Sequence, residues 1–190
     1  MEINEALPQY KRKRNTYADY CTWDDDERWE LIDGVPYAMS PAPTIIHQTI
    51  LVKISNQLYN FLEGKPCKVL VAPVDVRLNA NSYDDTVVQP DIIVVCDNEK
   101  LDGKSCVGAP DLVIEILSPS TALKDKNLKF KKYLQAGVRE YWIADPDSKT
   151  ISAHILDNGR YYVTSYADTD TAPVHVLDGC TIDLAKAFSE

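Results

Sequence analysis

No apolar stretch of this 190-residue chain approaches the roughly 18 to 20 residues that span a bilayer, so no membrane-crossing helix is expected. The opening residues, MEINEALPQYKRKRNTY, lack the apolar core of a secretory signal, and a cytoplasmic protein is the expectation. Cysteine is sparse and unpatterned: Cys21, Cys67, Cys96, Cys106 and Cys180 are odd in number and include no C-x-x-C pair. That spacing argues against a disulfide framework or a zinc knuckle, so most are expected to be reduced thiols, with Cys96 as packing material. Histidine is rarer still, and His47, His154 and His175 show no metal-ligand spacing, which disfavours a histidine-built zinc site. Positive charge is also short: 20 Lys and Arg face 29 Asp and Glu, a net charge of −9. Taken globally, this disfavours a nucleic-acid partner, whose phosphates need basic surface. The charge is uneven, however, with basic islands KRKR at 11–14 and LKDKNLKFKK at 123–132.

What is present is ordinary for a soluble globular protein, 45% hydrophobic and 26% charged residues. The length suits one domain around a sizeable core, and we expect a flexible segment over 1–15 and a single domain over 16–190. Asp33-Gly34 predicts a hairpin of 29–32 with 35–39. Ile46, Ile50, Ile54, Leu58 and Leu62 recur at steps of four, an apolar helix stripe with Thr44 as N-cap and Gly64 as stop. Runs 67–78, 87–96 and 111–117 read as strands of a meander. A second helix follows, started by Ser118 or Ser120 and ended by Gly137. A strand closing at Asp145-Pro146, a hairpin turning at 157–159 and one or two short strands in the tail complete a mixed α/β sheet protein.

In PDLVIEILSPST at 110–121, Glu115 sits among residues that belong in a dry core. A buried carboxylate without a partner shifts its pKa or finds a cation. If 87–96 and 111–117 are antiparallel neighbours, Asp91 lies early in one strand beside Glu115 late in the other. Asp111 falls about 13 Å away along the strand, at roughly 3.3 Å per residue. Two convergent carboxylates need a cation, and Mg²⁺ suits them, with its hard oxygen ligands and retained waters. The following helix offers a third charge. Stepping about 100° per residue from Phe130 places Leu123, Leu134 and Asn127 on the apolar face and Lys124, Lys131 and Lys132 in solvent. Lys129 falls at the edge of that face and Lys126 nearer its centre; spacing does not choose between them.

The chain resembles a family in four places: ELIDG at 30–34, QPD at 89–91, GAPDLVIEILSPST at 108–121 and GVREYWIADP at 137–146. Together these are similar to the Uma-two restriction-endonuclease family, within the PD-(D/E)XK nuclease superfamily, over roughly 15–165. The resemblance implies a restriction-endonuclease-like α/β (mixed α+β) fold: a central mixed sheet flanked by helices, with added hairpins. It implies Asp91 and Glu115 as catalytic carboxylates holding Mg²⁺ (or Mn²⁺). Leu117 stands where the superfamily motif places lysine. In family members of this type the lysine has moved to the next helix, which points to Lys129, with Lys126 in reserve. Glu30 and His47 match further positions of the group and are auxiliary candidates, for a second metal or for substrate contact.

Each residue also has a plainer reading. Asp91 can cap a strand end, Glu115 can pair with Arg139 or a lysine, Lys129 can snorkel, and Glu30 and His47 can be local structural residues. The expectation is a metal-dependent endonuclease acting on DNA, a homodimer because two strand breaks are most simply made by two copies of one site. Leu128, on the outer helix face, hints at the interface. Two alternatives remain: a catalytically silent nucleic-acid-binding or interaction domain on the same fold, and a metal-dependent hydrolase of another substrate.

Overall fold

The computed structural model describes residues 14–24, 27–39, 42–118 and 124–189. The expected flexible segment therefore lies almost entirely outside the described residues, as do Ser120 and Leu123. Helix α1 (Tyr17–Tyr20) begins with a capping box between Thr16 and Asp19. Strands β1 (Trp29–Ile32) and β2 (Val35–Ala38) form the expected hairpin. Its turn residues Asp33 and Gly34 have φ of 52° and 73°, as a two-residue turn matched to strand twist requires. Helix α2 (Ile45–Leu62) starts where the Thr44 side chain accepts from His47 N, and it buries Ile50, Leu51, Ile54, Leu58 and Leu62. Ile46, at the head of the same stripe, is exposed.

The next apolar runs, each a single strand by sequence, break at proline. The first divides at Pro73 into β3 (Lys68–Val71) and β4 (Asp75–Arg77), the second at Pro90 into β5 (Val87–Val88) and β6 (Ile92–Val95). Proline brings no N–H to a ladder, and at each break the chain passes from one sheet to another. Then come β7 (Ser105–Val107) and β8 (Leu112–Ile116). A π-helical turn over Lys124–Lys129 leads into α3 (Phe130–Ala136), which Gly137 ends in the left-handed conformation, φ 81°. Strands β9 (Glu140–Asp145), β10 (Thr150–Asp157), β11 (Arg160–Ala167), β12 (Thr171–Pro173) and β13 (Thr181–Asp183) and helix α4 (Leu184–Ala187) complete the fold.

Among the described residues the strands form a six-stranded sheet (β11-β10-β9-β8-β6-β3), a five-stranded sheet (β2-β1-β5-β4-β7) and the pair β12-β13. The larger sheet is mixed, with β8 parallel to β9 and its other pairs antiparallel. Strands β3, β6 and β8 form the inner part of the expected meander. One face of this sheet packs on α2 and the C-terminal elements through Ile54, Leu58, Ile92, Ile114 and Trp142. The other packs on the smaller sheet and α3 through Ile32, Val88, Ile93, Val113, Tyr133 and Tyr141. Fully burying each such side chain contributes about 1.5–3 kcal/mol. The fold is thus mixed α+β, a central mixed sheet with helices on its faces and hairpins added at its margins. No helix among the described residues is long and apolar enough to cross a membrane.

Two sequence expectations need correction. Leu128 is not an outward interface residue; it packs, partly buried, against the second core. Cys21, Cys106 and Cys180 are free thiols as expected, but Cys96, besides packing against the first core, is joined to Cys67 in a disulfide, with Cα atoms 3.9 Å apart. The pairing Lys68↔Val95 brings them opposite each other at the ends of β3 and β6, a neighbourhood that cysteine spacing alone does not disclose. Replacing both by serine removes a cross-link spanning 29 residues. The expected loss in urea unfolding is about 3 kcal/mol; unchanged stability, or a peptide map without this linkage, would contradict the pairing.

Candidate active site

Strand β8 is buried along its whole length, and its side chains alternate between the two cores. Leu112, Ile114 and Ile116 face the first and Val113 the second, so Glu115 shares the face of Val113. There the π-turn and α3 bring Lys129 and Tyr133 to it. Glu115 Oε1 accepts from Lys129 Nζ at 2.9 Å and from Tyr133 Oη at 2.6 Å. The same ammonium lies 2.7 Å from Glu30 Oε1 on β1 and 3.5 Å from Asp125 Oδ1 one turn earlier. Glu30 has further partners: Lys124 Nζ at 2.7 Å from Oε2, and Gln89 N, which donates to Oε1 at 3.0 Å.

The ammonium and the three carboxylates around it are all buried, so the distribution of cations decides their protonation. Burial alone would lower Lys129, but Glu115, Glu30 and Asp125 hold it well above its ordinary value. Burial alone would raise Glu30, yet Lys129 and Lys124 hold it below the usual carboxylate range. For Glu115 burial outweighs the opposing charge of Lys129, while Asp125, Asp91 and Glu30 add to burial, and it is pushed up to about 8. The lysine stays charged, and Glu115 is less compensated than Glu30, the other carboxylate hydrogen-bonded to it.

Asp91 stands just before β6. In the β6–β8 pairing Ile92 is opposite Ile114, and continuing that register by one residue sets Asp91 opposite Glu115. Its Oδ2 accepts from Ile116 N at 2.7 Å and meets His47 Nε2 at 3.1 Å. Burial alone would lower His47; the hydrogen bond and charge of Asp91 raise it. Its other ring nitrogen, Nδ1, is buried and has no hydrogen-bond partner among the described residues. Asp91, Glu115, Glu30, His47 and Lys129 all line one cleft of about 690 Å³.

The donor set fits a hard divalent ion. On both carboxylates the hydrogen bonds fall on one oxygen, Asp91 Oδ2 and Glu115 Oε1. None among the described residues falls on Asp91 Oδ1 or Glu115 Oε2. Among the described residues four acidic groups, Glu30, Asp91, Glu115 and Asp125, line the cleft with Arg28, Lys124, Lys129 and His47, so ionising all four leaves negative charge in excess unless His47 is protonated. Among the described residues no three His, Cys, Asp or Glu side chains gather tightly enough to form a cage. Mg²⁺ needs none, since one or two carboxylates and retained waters suffice.

Of the sequence candidates, then, Asp91, Glu115, Lys129, Glu30 and His47 converge, whereas Lys126 is exposed. Arg139 pairs with Asp111 at the opposite end of β8, not with Glu115. Lys124, read as solvated, binds Glu30, and Lys132 binds Asp33. Asn127, assigned to the buried face, is exposed. Asp125 and Tyr133 were not among the candidates, although Asp125, Lys129 and Tyr133 form a row at steps of four. The π-turn slips the helical phase, so a uniform rotation per residue from Phe130 centres the face wrongly.

The mixed sheet that carries these two carboxylates and the lysine has a known architecture. The fold matches a crystal structure from Anabaena variabilis described as "a putative nuclease", with a TM-score of 0.73 at 17% identity, covering 91% of this chain and 97% of the other. The Uma2 family, described as "Putative restriction endonuclease", matches residues 15–185, and the chain belongs to that family. An uncharacterized protein of Synechocystis is 29% identical over 157 residues, 80% of each chain.

Lys129→Met leaves Glu30, Glu115 and Asp125 around an uncharged side chain, a loss expected to cost about 3–5 kcal/mol near pH 7. Without the ammonium these carboxyls titrate above their unfolded values, so the native state holds more protons than the unfolded one. Stability of the variant therefore improves as pH falls and the deficit against wild type narrows towards about pH 5. Urea unfolding at both pH values measures this; equal stability of variant and wild type at pH 7 would contradict the arrangement.

Proposed function

We propose that the chain is a metal-dependent endonuclease that hydrolyses phosphodiester bonds of DNA, with Asp91 and Glu115 holding Mg²⁺ or Mn²⁺. The observation that carries this reading is an under-compensated buried carboxylate, Glu115, set opposite Asp91 at the entry to the neighbouring strand, with a charged lysine at 2.9 Å. A divalent ion between such carboxylates supplies polarisation of the phosphoryl oxygens and neutralises charge on the departing 3′ oxygen. Lys129 remains protonated among three carboxylates, which suits it to stabilising the charge of a pentacovalent phosphorus or to orienting the attacking water, and not to removing a proton. Tyr133 and Lys129 together fix the Glu115 carboxylate, and the Ile116 amide and His47 fix that of Asp91. Both Glu30 oxygens are engaged by lysines, which favours a role in holding Lys129 over one in ligating a second metal. Cutting both strands is most simply done by a homodimer, and light scattering of the purified protein tests for one.

A second reading, a catalytically silent domain that binds nucleic acid or a partner, is favoured by one observation: Lys129 already satisfies much of the carboxylate charge from within the chain. Nicking of supercoiled plasmid separates the two. Asp91→Asn and Glu115→Gln are expected to lower the rate about 100-fold or more, while Lys126→Ala, on an exposed side chain, leaves it unchanged. Plasmid left intact by the wild-type protein with Mg²⁺, Mn²⁺, Co²⁺ and Ni²⁺ would decide for the silent domain.

A further inference from the structure

We propose that Arg28 is a docking point for a backbone phosphate of the nucleic acid on the wall of this cleft, an inference that rests on the nuclease reading. Among the described residues the cleft is lined by three Lys or Arg side chains, Arg28, Lys124 and Lys129. Lys124 and Lys129 both end on the buried carboxylate of Glu30, so the free protein already pairs each of them with a carboxylate of its own. Arg28 differs. Its guanidinium is held by a neutral group, the amide oxygen of Gln89, at 3.2 Å from Nε and 2.6 Å from Nη2. Among the described residues no carboxylate pairs with it.

The position is also built rather than loose. Gln89 Nε2 donates to Asp75 Oδ1 at 2.9 Å and to Tyr20 Oη at 3.2 Å, and Tyr20 Oη donates to Asp75 Oδ1 at 3.1 Å. With its nitrogen committed to that carboxylate, the amide must turn its oxygen to Arg28. Gln89 N is pinned to Glu30, and the Arg28 carbonyl accepts from Met39 N at 2.8 Å. The chain thus anchors an exposed guanidinium by two of its nitrogens and leaves its full positive charge, and Nη1, to the cleft. Gln89 is two residues from Asp91, and Arg28 two from Glu30, so this charge stands next to the carboxylate site. An acidic cleft on a chain of net charge −9 repels a polyanion unless a fixed cation meets it. A planar guanidinium matches phosphate oxygens in a way that an ammonium does not.

The test is binding of a fluorescent DNA duplex without divalent metal, measured by anisotropy across a salt series. Arg28→Ala is expected to weaken binding about tenfold and to reduce the slope of log Kd against log salt by about one. Arg28→Lys should restore the slope with only part of the affinity, and Gln89→Leu should weaken binding while keeping the slope. In cleavage assays KM rises for Arg28→Ala and kcat stays near wild type. Because the side chain is exposed, the variant should melt with the wild-type protein. Wild-type affinity and slope in Arg28→Ala, or a fall in kcat with KM unchanged, overturn the Arg28 assignment and leave the nuclease reading standing. A wild-type protein that binds no duplex overturns both.

Discussion

One buried ammonium holds this structure's chemistry together. Lys129 reaches Glu30 on the smaller sheet, Glu115 on the larger sheet and Asp125 on its own helix. Burying charges is costly, and such a cluster persists only where the geometry is fixed by everything around it. Here the surroundings are two sheets exchanging strands at Pro73 and Pro90 and a helix laid across the larger one. The seam between the sheets is therefore also the floor of the cleft. The packing that forms the cores and the chemistry proposed for the site depend on the same side chain.

The uneven sharing of cations gives each carboxylate a different task. Glu30, with two lysines and a backbone amide, is held ionised and serves as an anchor. Glu115, with one lysine and the Tyr133 hydroxyl, is left short of positive charge on the wall of a cleft. Asp91 uses one oxygen to bind the Ile116 amide and His47, so its position is set by β8 itself. A divalent ion, if held here, would relieve what the protein's own cations leave uncompensated, and a pair of carboxylates with retained waters suits such an ion.

Much of this was legible in the amino-acid order, and the exceptions have physical causes. The strand alternation around Glu115 and the antiparallel neighbourhood of Asp91 follow from periodicity and length, because neighbouring strands leave few choices of register. The identity of the lysine did not follow. A π-turn over Lys124–Lys129 shifts the phase on which a helical projection relies, burying Asp125 and Lys129 and exposing Asn127. Only the likeness to a known family pointed to Lys129. The two strand breaks were announced by Pro73 and Pro90 but hidden by the apolar residues on either side. The Cys67–Cys96 bond depends on pairing between segments far apart in sequence, and spacing carries no trace of it. Gln89, which orients Arg28, shows no periodic signal, because its importance lies wholly in its hydrogen bonds.

Membership of the Uma2 family and the likeness of fold to the Anabaena protein agree with what the residues themselves assemble. The central claim is that Asp91 and Glu115 grip one divalent ion. Anomalous diffraction from a crystal soaked in Mn²⁺ tests it most directly. The expected result is a peak bonded to one oxygen of each carboxylate, with Lys129 still paired to Glu30. An empty map at this place in a fully ordered cleft, or manganese bound only elsewhere on the protein, would contradict the account.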